Sequence, residues 1–382
     1  MPNPDTDERF LNQALDLARQ GIGLTSPNPC VGAVIVDAKG AAVGAGSHTY
    51  DGLKHAEILA LEQAGEKARG ATLYVNLEPC SHQGRTAPCA DALITAGISR
   101  VVACMEDPNP LVRGQGFAKL RDAGIHVSSS ISEEQAKALN ESFAKYIRHH
   151  TPLVTLKAAM TLDGKIGAPA SISATGMSTR GAWITGEAAR AHVQQLRHQS
   201  DAILVGVGTV IADNPLLTDR SGRPRRRPLL RVILDSRLRL PLDSSVVTSA
   251  QEDVLILCSF AEEKKKKQLL KRGVRVEQLP RSTSDGHPDM PAIVRFLGQL
   301  EITGLLIEGG ALVNWAALSA AVVDKVFFYY APKILGGTGS IPLAGGSGFA
   351  SIGDAACVKS IRLHRFSEDF AVEGYLKDPY AE

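Results

Sequence analysis

One pairing of motifs constrains this chain more than any other. Lys54-His55-Ala56-Glu57 offers an imidazole with a carboxylate two residues on, and Pro79-Cys80 and Pro88-Cys89 offer two thiols, each behind a proline. One imidazole and two thiolates can hold Zn²⁺ and leave its fourth position open to water. The metal lowers that water's pKa towards about 7. A nearby carboxylate that is not a ligand can then shuttle protons while an exocyclic amine is removed from a heterocycle. We read His55, Cys80 and Cys89 as the ligands and Glu57 as the shuttle. Taken singly, each has an ordinary explanation, since histidines occur on surfaces and free cysteines are often small buried filler. The combination in this order is what a zinc deaminase asks for. A purely structural site would be closed by a fourth protein ligand; the nearest candidate, His82, is read instead as a substrate contact.

Meeting at one metal dictates local structure. His55 and Glu57 open a helix running to about Ala68. Thr72 to Leu77 is a buried strand with Cys80 in the loop leaving it. Pro88 suits a helix start, so Cys89 lies at the N-terminus of a helix over Cys89 to Ala96. There the helix dipole favours the thiolate, the form that binds metal.

The rest of the first half alternates in the same way. Phe10, Leu11, Ala14, Leu15 and Ala18 recur at helical spacing. Val31 to Asp37 and Ala41 to Ser47 pair as a hairpin. Strand-helix units follow at 99–104 with 115–123, then 126–130 with 133–147. These elements make a three-layer α/β domain over residues 1–150. Residues 148–152 read as a linker, and a second α/β domain fills 151–382. Its strands are 153–159, 202–207, 229–234, 254–257, 305–307 and 325–330, with helices at 187–198 and 311–318. Val322 to Ile334 reads as a long apolar strand whose edge could pair with a second copy, which makes a homo-oligomer, a dimer, the expected assembly.

A length of 382 residues exceeds one typical core and suits two domains. Lys plus Arg number 42 and Asp plus Glu 40, a net charge of only +2. No basic face asks for a nucleic acid, and the Lys264 to Lys267 run reads as a solvated helix face. No stretch approaches the roughly 18 apolar residues of a membrane span, and the start of the chain lacks the features of a signal peptide. Six scattered cysteines, two of them read as metal ligands, suit a reducing cytoplasm better than a disulfide framework.

With both halves laid out, the chain resembles the bifunctional deaminase–reductase family of riboflavin biosynthesis over nearly its full length. In the first half the likeness rests on Pro27-Asn28-Pro29, Val31-Gly32, His55-Ala56-Glu57 and the loop from Pro79-Cys80 to Pro88-Cys89. Eight residues lie between those cysteines, where the tRNA and cytidine deaminases have two. In the second half it rests on Lys157, Leu162-Asp163-Gly164-Lys165, Trp183-Ile184-Thr185, Gly206 to Thr218, Asp235-Ser236 and Glu308-Gly309-Gly310.

The resemblance implies a cytidine-deaminase-like first domain and a dihydrofolate-reductase-like second domain that uses NADPH. It implies deamination of a diamino-pyrimidinone ribosylamine phosphate, then reduction of its ribosyl group to a ribityl chain. Asn28, His82 and Arg85 become contacts for the pyrimidine and its phosphate. Nucleotide contacts carry over to Ala159, Trp183, Thr209, Asp213, Ser236, Gly310, Ala311, Leu312, Val313 and Asn314. Substrate contacts carry over to Arg197, Leu217 (by its backbone), Arg220 and Glu308, with the two arginines clamping the phosphate. Lys157 and Glu308 are candidates for proton transfer, although such a pair also serves as an ordinary structural ion pair. Likewise, a glycine pair after a strand can be only a tight turn. One departure is that eighteen residues separate Gly164 from Trp183, more than the family shows. The family's serine two places before the tryptophan is here Gly181, and Ser178 is a substitute from the longer loop.

Two other readings fit less well. A nucleoside or tRNA deaminase would want cysteines two apart and a basic groove. A zinc-stabilised scaffold would have no use for Glu57.

Overall fold

The computed structural model describes residues 4–83, 87–169, 183–281 and 287–381. Arg85, Ser178 and Gly181 lie outside the described residues. The chain divides into two compact units: the residues up to His149 with Pro224–Arg227, and His150–Arg223 with Pro228–Ala381.

The first unit runs α1 (Pro4–Arg19), β1 (Gly32–Val36), β2 (Ala42–Ser47), α2 (Ala56–Ala64), β3 (Thr72–Val75), α3 (Cys89–Ala96), β4 (Arg100–Ala103), α4 (Gln115–Asp122), β5 (His126–Ser128) and α5 (Glu133–His149). Its sheet has the order β2-β1-β3-β4-β5. The β1 strand is antiparallel to β2 and β3, whereas β3, β4 and β5 run parallel.

Helices cover both faces, and strand parity shows why. A Cβ on Gly32 would lie 2.1 Å from the Ala14 carbonyl oxygen of α1, and one on Gly46 would lie 2.2 Å from the Ala56 carbonyl oxygen of α2. Gly46 pairs with Ala33, the neighbour of Gly32. Successive residues of a strand face opposite sides, so α1 and α2 lie on opposite faces. Phe10, Leu11, Ala14, Leu15 and Ala18, the helical stripe of α1, are all buried. The last helix, α5, continues through Arg148 to His149, where the sequence suggested a linker.

The second unit runs β6 (Leu153–Thr161), β7 (Lys165–Gly167), α6 (Glu187–Gln199), β8 (Ala202–Gly206), α7 (Val207–Asp213), β9 (Leu230–Leu234), α8 (Ser245–Thr248), β10 (Val254–Cys258), α9 (Glu263–Leu270), β11 (Val274–Gln278), α10 (Met290–Gln299), β12 (Gly304–Ile307), α11 (Ala311–Ser319), β13 (Lys325–Ala331), β14 (Ile341–Pro342), β15 (Lys359–Phe366) and β16 (Asp369–Tyr375). Nine strands form one sheet in the order β11-β10-β9-β8-β12-β6-β13-β16-β15. From β11 to β13 it is parallel, and the β15–β16 hairpin closes it antiparallel.

The strands of the parallel part read as apolar runs because both faces are covered. Leu204 packs into a core with Val154, Leu156, Leu305 and Ile307. Its neighbours Ile203 and Val205 pack with Ile233, Val254 and Ile256 on the other face. A smaller cluster seats Ala189 and Val193 of α6 on Phe327, Tyr329 and Ala371.

One expectation is corrected. The apolar strand around residues 322–334 is no edge: β13 is hydrogen-bonded to β6 on one side and to β16 on the other. The edge belongs to β15, where Ile361 and Leu363 are exposed. Among the described residues no helix is long and apolar enough to cross a membrane.

The seat of α2 on β2 has a testable cost. Gly46→Val must push α2 outward, and overpacking of this kind costs about 1–3 kcal/mol. Urea unfolding should show that loss. An unchanged midpoint would mean that the approach of α2 to the sheet is not tight.

Candidate active sites

In the first unit the sheet and two helix starts bring the predicted ligands together. His55 is the extended N-cap residue of α2. Cys80 lies in the loop after β3. Pro88 caps α3, so Cys89 is the first residue of that helix. The His55 Nδ1 atom is 3.2 Å from Cys89 Sγ and 3.5 Å from Cys80 Sγ. All three ligand atoms lie within 4.8 Å of one another. Metal–sulfur and metal–nitrogen bonds of ordinary length around a tetrahedral zinc put such atoms roughly 3.5 Å apart. The donor set therefore fits zinc and leaves one position open.

One of the two thiols is already biased towards losing its proton. The Cys89 backbone N–H donates to Cys80 Sγ at 3.2 Å. Hydrogen bonding from Cys89 and from His55 outweighs burial and draws Cys80 down to about 4, while the same sharing pushes Cys89 up. A divalent cation would displace the remaining proton. Glu57, in the first turn of α2, is 3% exposed. Burial raises its carboxyl above the usual range, partly offset by His55. A buried carboxyl beside the ligand set, raised in this direction, is suited to carry a proton during the reaction.

Three neighbours were missed by sequence reasoning. His48 Nδ1 is 3.0 Å from the Lys54 carbonyl oxygen and His48 Nε2 is 3.0 Å from Asn28 Nδ2. The carbonyl can only accept, so Nδ1 carries the proton and Nε2 accepts from the Asn28 amide. His48 is buried, edge-on to the His55 ring at 5.4 Å. Glu78, next to the Pro79-Cys80 pair, accepts the backbone N–H groups of Asp107, Gly114, Gly116 and Phe117 at 2.8–3.2 Å. It thereby ties the loop after β4 to the cysteine loop. Asp107 in that loop is raised to about 6, first by burial and further by Glu78 and Cys80, with the exposed His82 opposing. The only sequence signal for these residues was their polarity beside the motifs.

In the second unit Lys157 of β6 and Glu308, just past β12, are brought side by side because Leu156 pairs with Ile307. Lys157 Nζ is 3.4 Å from Glu308 Oε2. The Arg197 guanidinium, from α6, grips the same carboxylate: Nε to Oε1 at 2.8 Å and Nη2 to Oε2 at 3.1 Å. Its Nη1 donates to the Thr218 carbonyl oxygen at 2.9 Å. The structure thus places Arg197 on Glu308, while Arg220 is exposed and Leu217 is buried with a left-handed backbone, φ 58°.

The remaining candidates gather at the carboxyl ends of the parallel strands, where open α/β sheets bind ligands. Ala159 lies towards the end of β6, Ser236 follows β9, and Gly310 caps α11 after β12. Thr209 and Asp213 sit on α7 after β8; Thr209 Oγ1 would be 3.6 Å from a Cβ on Gly310. Gly310, the N-cap residue of α11, has no side chain to cap the helix, so the amides of Ala311, Leu312 and Val313 could receive a phosphate. A Cβ on Gly309 would strike Val313 and Asn314 at 2.7–2.9 Å. Asn314 is buried with its Oδ1 unpartnered among the described residues. These features fit a nucleotide. Trp183 is exposed, with Arg190 stacked at 4.9 Å over its ring.

Metal-activated deamination in one unit and nucleotide-dependent reduction in the other define the class: a two-activity deaminase and reductase. Comparison with known proteins agrees. Residues 4–105 match the family described as the cytidine and deoxycytidylate deaminase zinc-binding region, and residues 152–372 match the RibD C-terminal domain. The chain is 41% identical to riboflavin biosynthesis protein RibD of Actinobacillus pleuropneumoniae, over 98% of this chain and 96% of that one. The structure of Acinetobacter baumannii RibD aligns with a TM-score of 0.82 and 35% identity, covering 98% of this chain and 99% of that one. A Thermotoga maritima protein described as a diaminohydroxyphosphoribosylaminopyrimidine deaminase and 5-amino-6-(5-phosphoribosylamino)uracil reductase aligns at 0.81 and 35%, covering 97% and 99%. The chain belongs to the RibD family. It is a bifunctional deaminase and reductase of riboflavin biosynthesis, with a zinc-binding domain and a domain for a nicotinamide cofactor.

Cys80→Ser should lose the metal. Elemental analysis of the native chain is expected to find about one zinc, and of the variant little or none. Full zinc in Cys80→Ser would remove that residue from the ligand set.

Proposed function

We propose that the first unit, spanning about residues 1–150, deaminates a diamino-pyrimidinone ribosylamine phosphate through His55, Cys80, Cys89 and Glu57. The second, over about 151–382, then reduces the ribosyl group with NADPH. The observation that carries this reading is the buried Glu57 carboxyl two residues from a metal-ligand histidine. Zinc held by His55, Cys80 and Cys89 supplies the activated water. Glu57 takes a proton from the attacking water and returns it to the departing amine. With its amide N–H groups turned to His48, Asn28 can offer its carbonyl oxygen to the ring amine. Asp107 lies near His82 and Cys80, and we assign the pyrimidine edge to Asn28, His82 and Asp107.

In the second unit, Ala159, Trp183, Thr209, Asp213, Ser236 and the residues from Gly310 to Asn314 hold the cofactor, which supplies hydride. Ser236 Oγ is 2.7 Å from His287 Nδ1, and Arg237 is exposed next to it. Donors gathered at the end of β9 favour the extra phosphate of NADPH over NADH. Arg197, Leu217 (by its backbone) and Arg220 bind the sugar phosphate, and Lys157 with Glu308 manages the proton as the ribose opens. We place the chain in the cytoplasm, which the six free cysteines suit. We favour a homodimer because β15 ends the sheet with an unpaired edge on which Ile361 and Leu363 are exposed.

The test is Glu57→Gln in the full chain. It is expected to keep its zinc and lose deamination by about a hundredfold or more, the usual worth of a general acid–base group. NADPH oxidation with the already deaminated compound should be unchanged. Near-normal ammonia release would refute the role of Glu57.

A further inference from the structure

We propose that Arg226 is a positioning residue for deamination: from the strap Pro224–Arg227 it holds together the two turns that carry Asn28 and His48. This rests on the reading of Asn28 as a contact for the pyrimidine given above.

Pro224–Arg227 are part of the first compact unit, although the sequence on either side of them belongs to the second. Hydrogen bonds fix them there. The Arg226 backbone N–H donates to the Gly23 carbonyl oxygen at 2.8 Å. Arg226 Nη1 donates to the Ser26 carbonyl oxygen at 2.9 Å, and Arg227 Nη2 donates to Ser26 Oγ at 3.1 Å. The guanidinium carbon of Arg226 lies 3.7 Å from the centre of the Tyr50 ring, and its Nε is 3.5 Å from Asp51 Oδ1. A guanidinium is planar, so it can stack on a ring through its face while its N–H groups donate in its plane. Arg226 therefore engages both turns with one group. Its side chain is 21% exposed, while that of Asp51 is 77% exposed. An ion pair so open to water contributes little, which leaves the stack on Tyr50 and the bond to Ser26 as the effective grip.

The gripped residues flank the site. Ser26 stands two residues before Asn28, and Tyr50 stands two after His48. Neither turn lies in a helix or strand: the first joins α1 to β1, and the second joins β2 to α2. They meet where the Tyr50 backbone N–H donates to the Leu24 carbonyl oxygen at 3.1 Å, and again where Asn28 Nδ2 meets His48 Nε2 at 3.0 Å. His48 is held on its other side by the carbonyl oxygen of Lys54, the residue before the ligand His55. The Asn28 amide is thus aimed by a bond whose two ends sit on separate turns, and Arg226 spans those turns. Without its side chain the turns can part, and the Asn28 carbonyl oxygen is no longer held towards the ring amine. The metal ligands stand at the starts of α2 and α3 and in the loop after β3, so zinc should stay. The backbone bond from Arg226 to Gly23 survives a change of side chain and keeps the strap in place.

The experiment uses the full chain with Arg226→Ala, Arg226→Lys, Tyr50→Leu, Asn28→Ala and the double variants that join Asn28→Ala to Arg226→Ala or to Tyr50→Leu. Ammonia release from the diamino compound is measured, with zinc content and NADPH oxidation on the deaminated compound as controls. Arg226→Ala should keep its zinc and its NADPH oxidation and lose about tenfold in kcat/KM for deamination, since misplaced positioning groups cost up to about a hundredfold. Arg226→Lys keeps the cation without the plane and should recover part of that loss. In the Asn28→Ala background the Arg226→Ala change should cost less than about twofold, because residues that act through one another are not additive. A merely structural role would leave the tenfold loss standing in that background, and that result overturns the proposal. Native deamination by Arg226→Ala beside a slow Asn28→Ala also overturns it, and leaves the role of Asn28 intact. If Asn28→Ala deaminates at the native rate, the roles of Asn28 and Arg226 fall together. Should Arg226→Ala lose zinc or fail to fold, the same comparison with Tyr50→Leu decides: a loss that vanishes beside Asn28→Ala supports the proposal, and one that persists overturns it.

Discussion

A carboxylate taken out of water must be given donors or must hold its proton, and three largely enclosed glutamates meet that constraint in three ways. Glu78 receives four backbone N–H groups and becomes a structural anchor for the loop that carries Asp107. Glu308 receives an arginine and a lysine and remains an anion. Glu57 sits beside His55, Cys80 and Cys89, with hydrogen bonds from its own backbone N–H and from Cys89, and burial still pushes it towards its protonated form. The same side chain is thus scaffold, electrostatic anchor and proton carrier, according to what its surroundings supply.

Each arrangement rests on backbone placed by the sheets. In the first unit, parallel pairing of β3 with β4 puts the cysteine loop and the Asp107 loop at the same end. In the second, the register that sets Leu156 against Ile307 delivers Lys157 to Glu308. The glycines that admit α2 onto β2 bring the N-terminus of that helix, with His55 and Glu57, down to the cysteines. A shift of one residue in these registers would turn the functional side chains to the opposite face.

Much of this was legible in the sequence because the chemistry is tied to short spacings. His55 and Glu57 are two apart, Cys89 follows a helix-starting proline, and the α1 stripe repeats every three to four residues. Parallel strands such as Val254–Cys258 announce themselves as apolar runs. What the sequence hid were partnerships made at a distance. Arg197 and Glu308 are 111 residues apart, and Glu78 meets Phe117 across 39; no local pattern marks either pair. The strand Lys325–Ala331 looked like an edge for the same reason, since its neighbour β16 arrives only after a long irregular stretch. The β15–β16 hairpin carries only a weak local signal, Ile361 and Leu363 alternating with polar residues, and it was not among the strands expected from the sequence.

Two chemistries on one chain, run in a fixed order, can be tested in a single measurement. The native chain is given the diamino-pyrimidinone ribosylamine phosphate and NADPH, with ammonia release and NADPH oxidation followed together, before and after the zinc is removed by a chelator. The result expected is equal amounts of ammonia and oxidised cofactor, with ammonia leading. After chelation both should stop on this substrate, while NADPH oxidation should persist when the deaminated compound is supplied instead. Oxidation of NADPH by the diamino compound without release of ammonia would contradict the order and the division of labour between the two units.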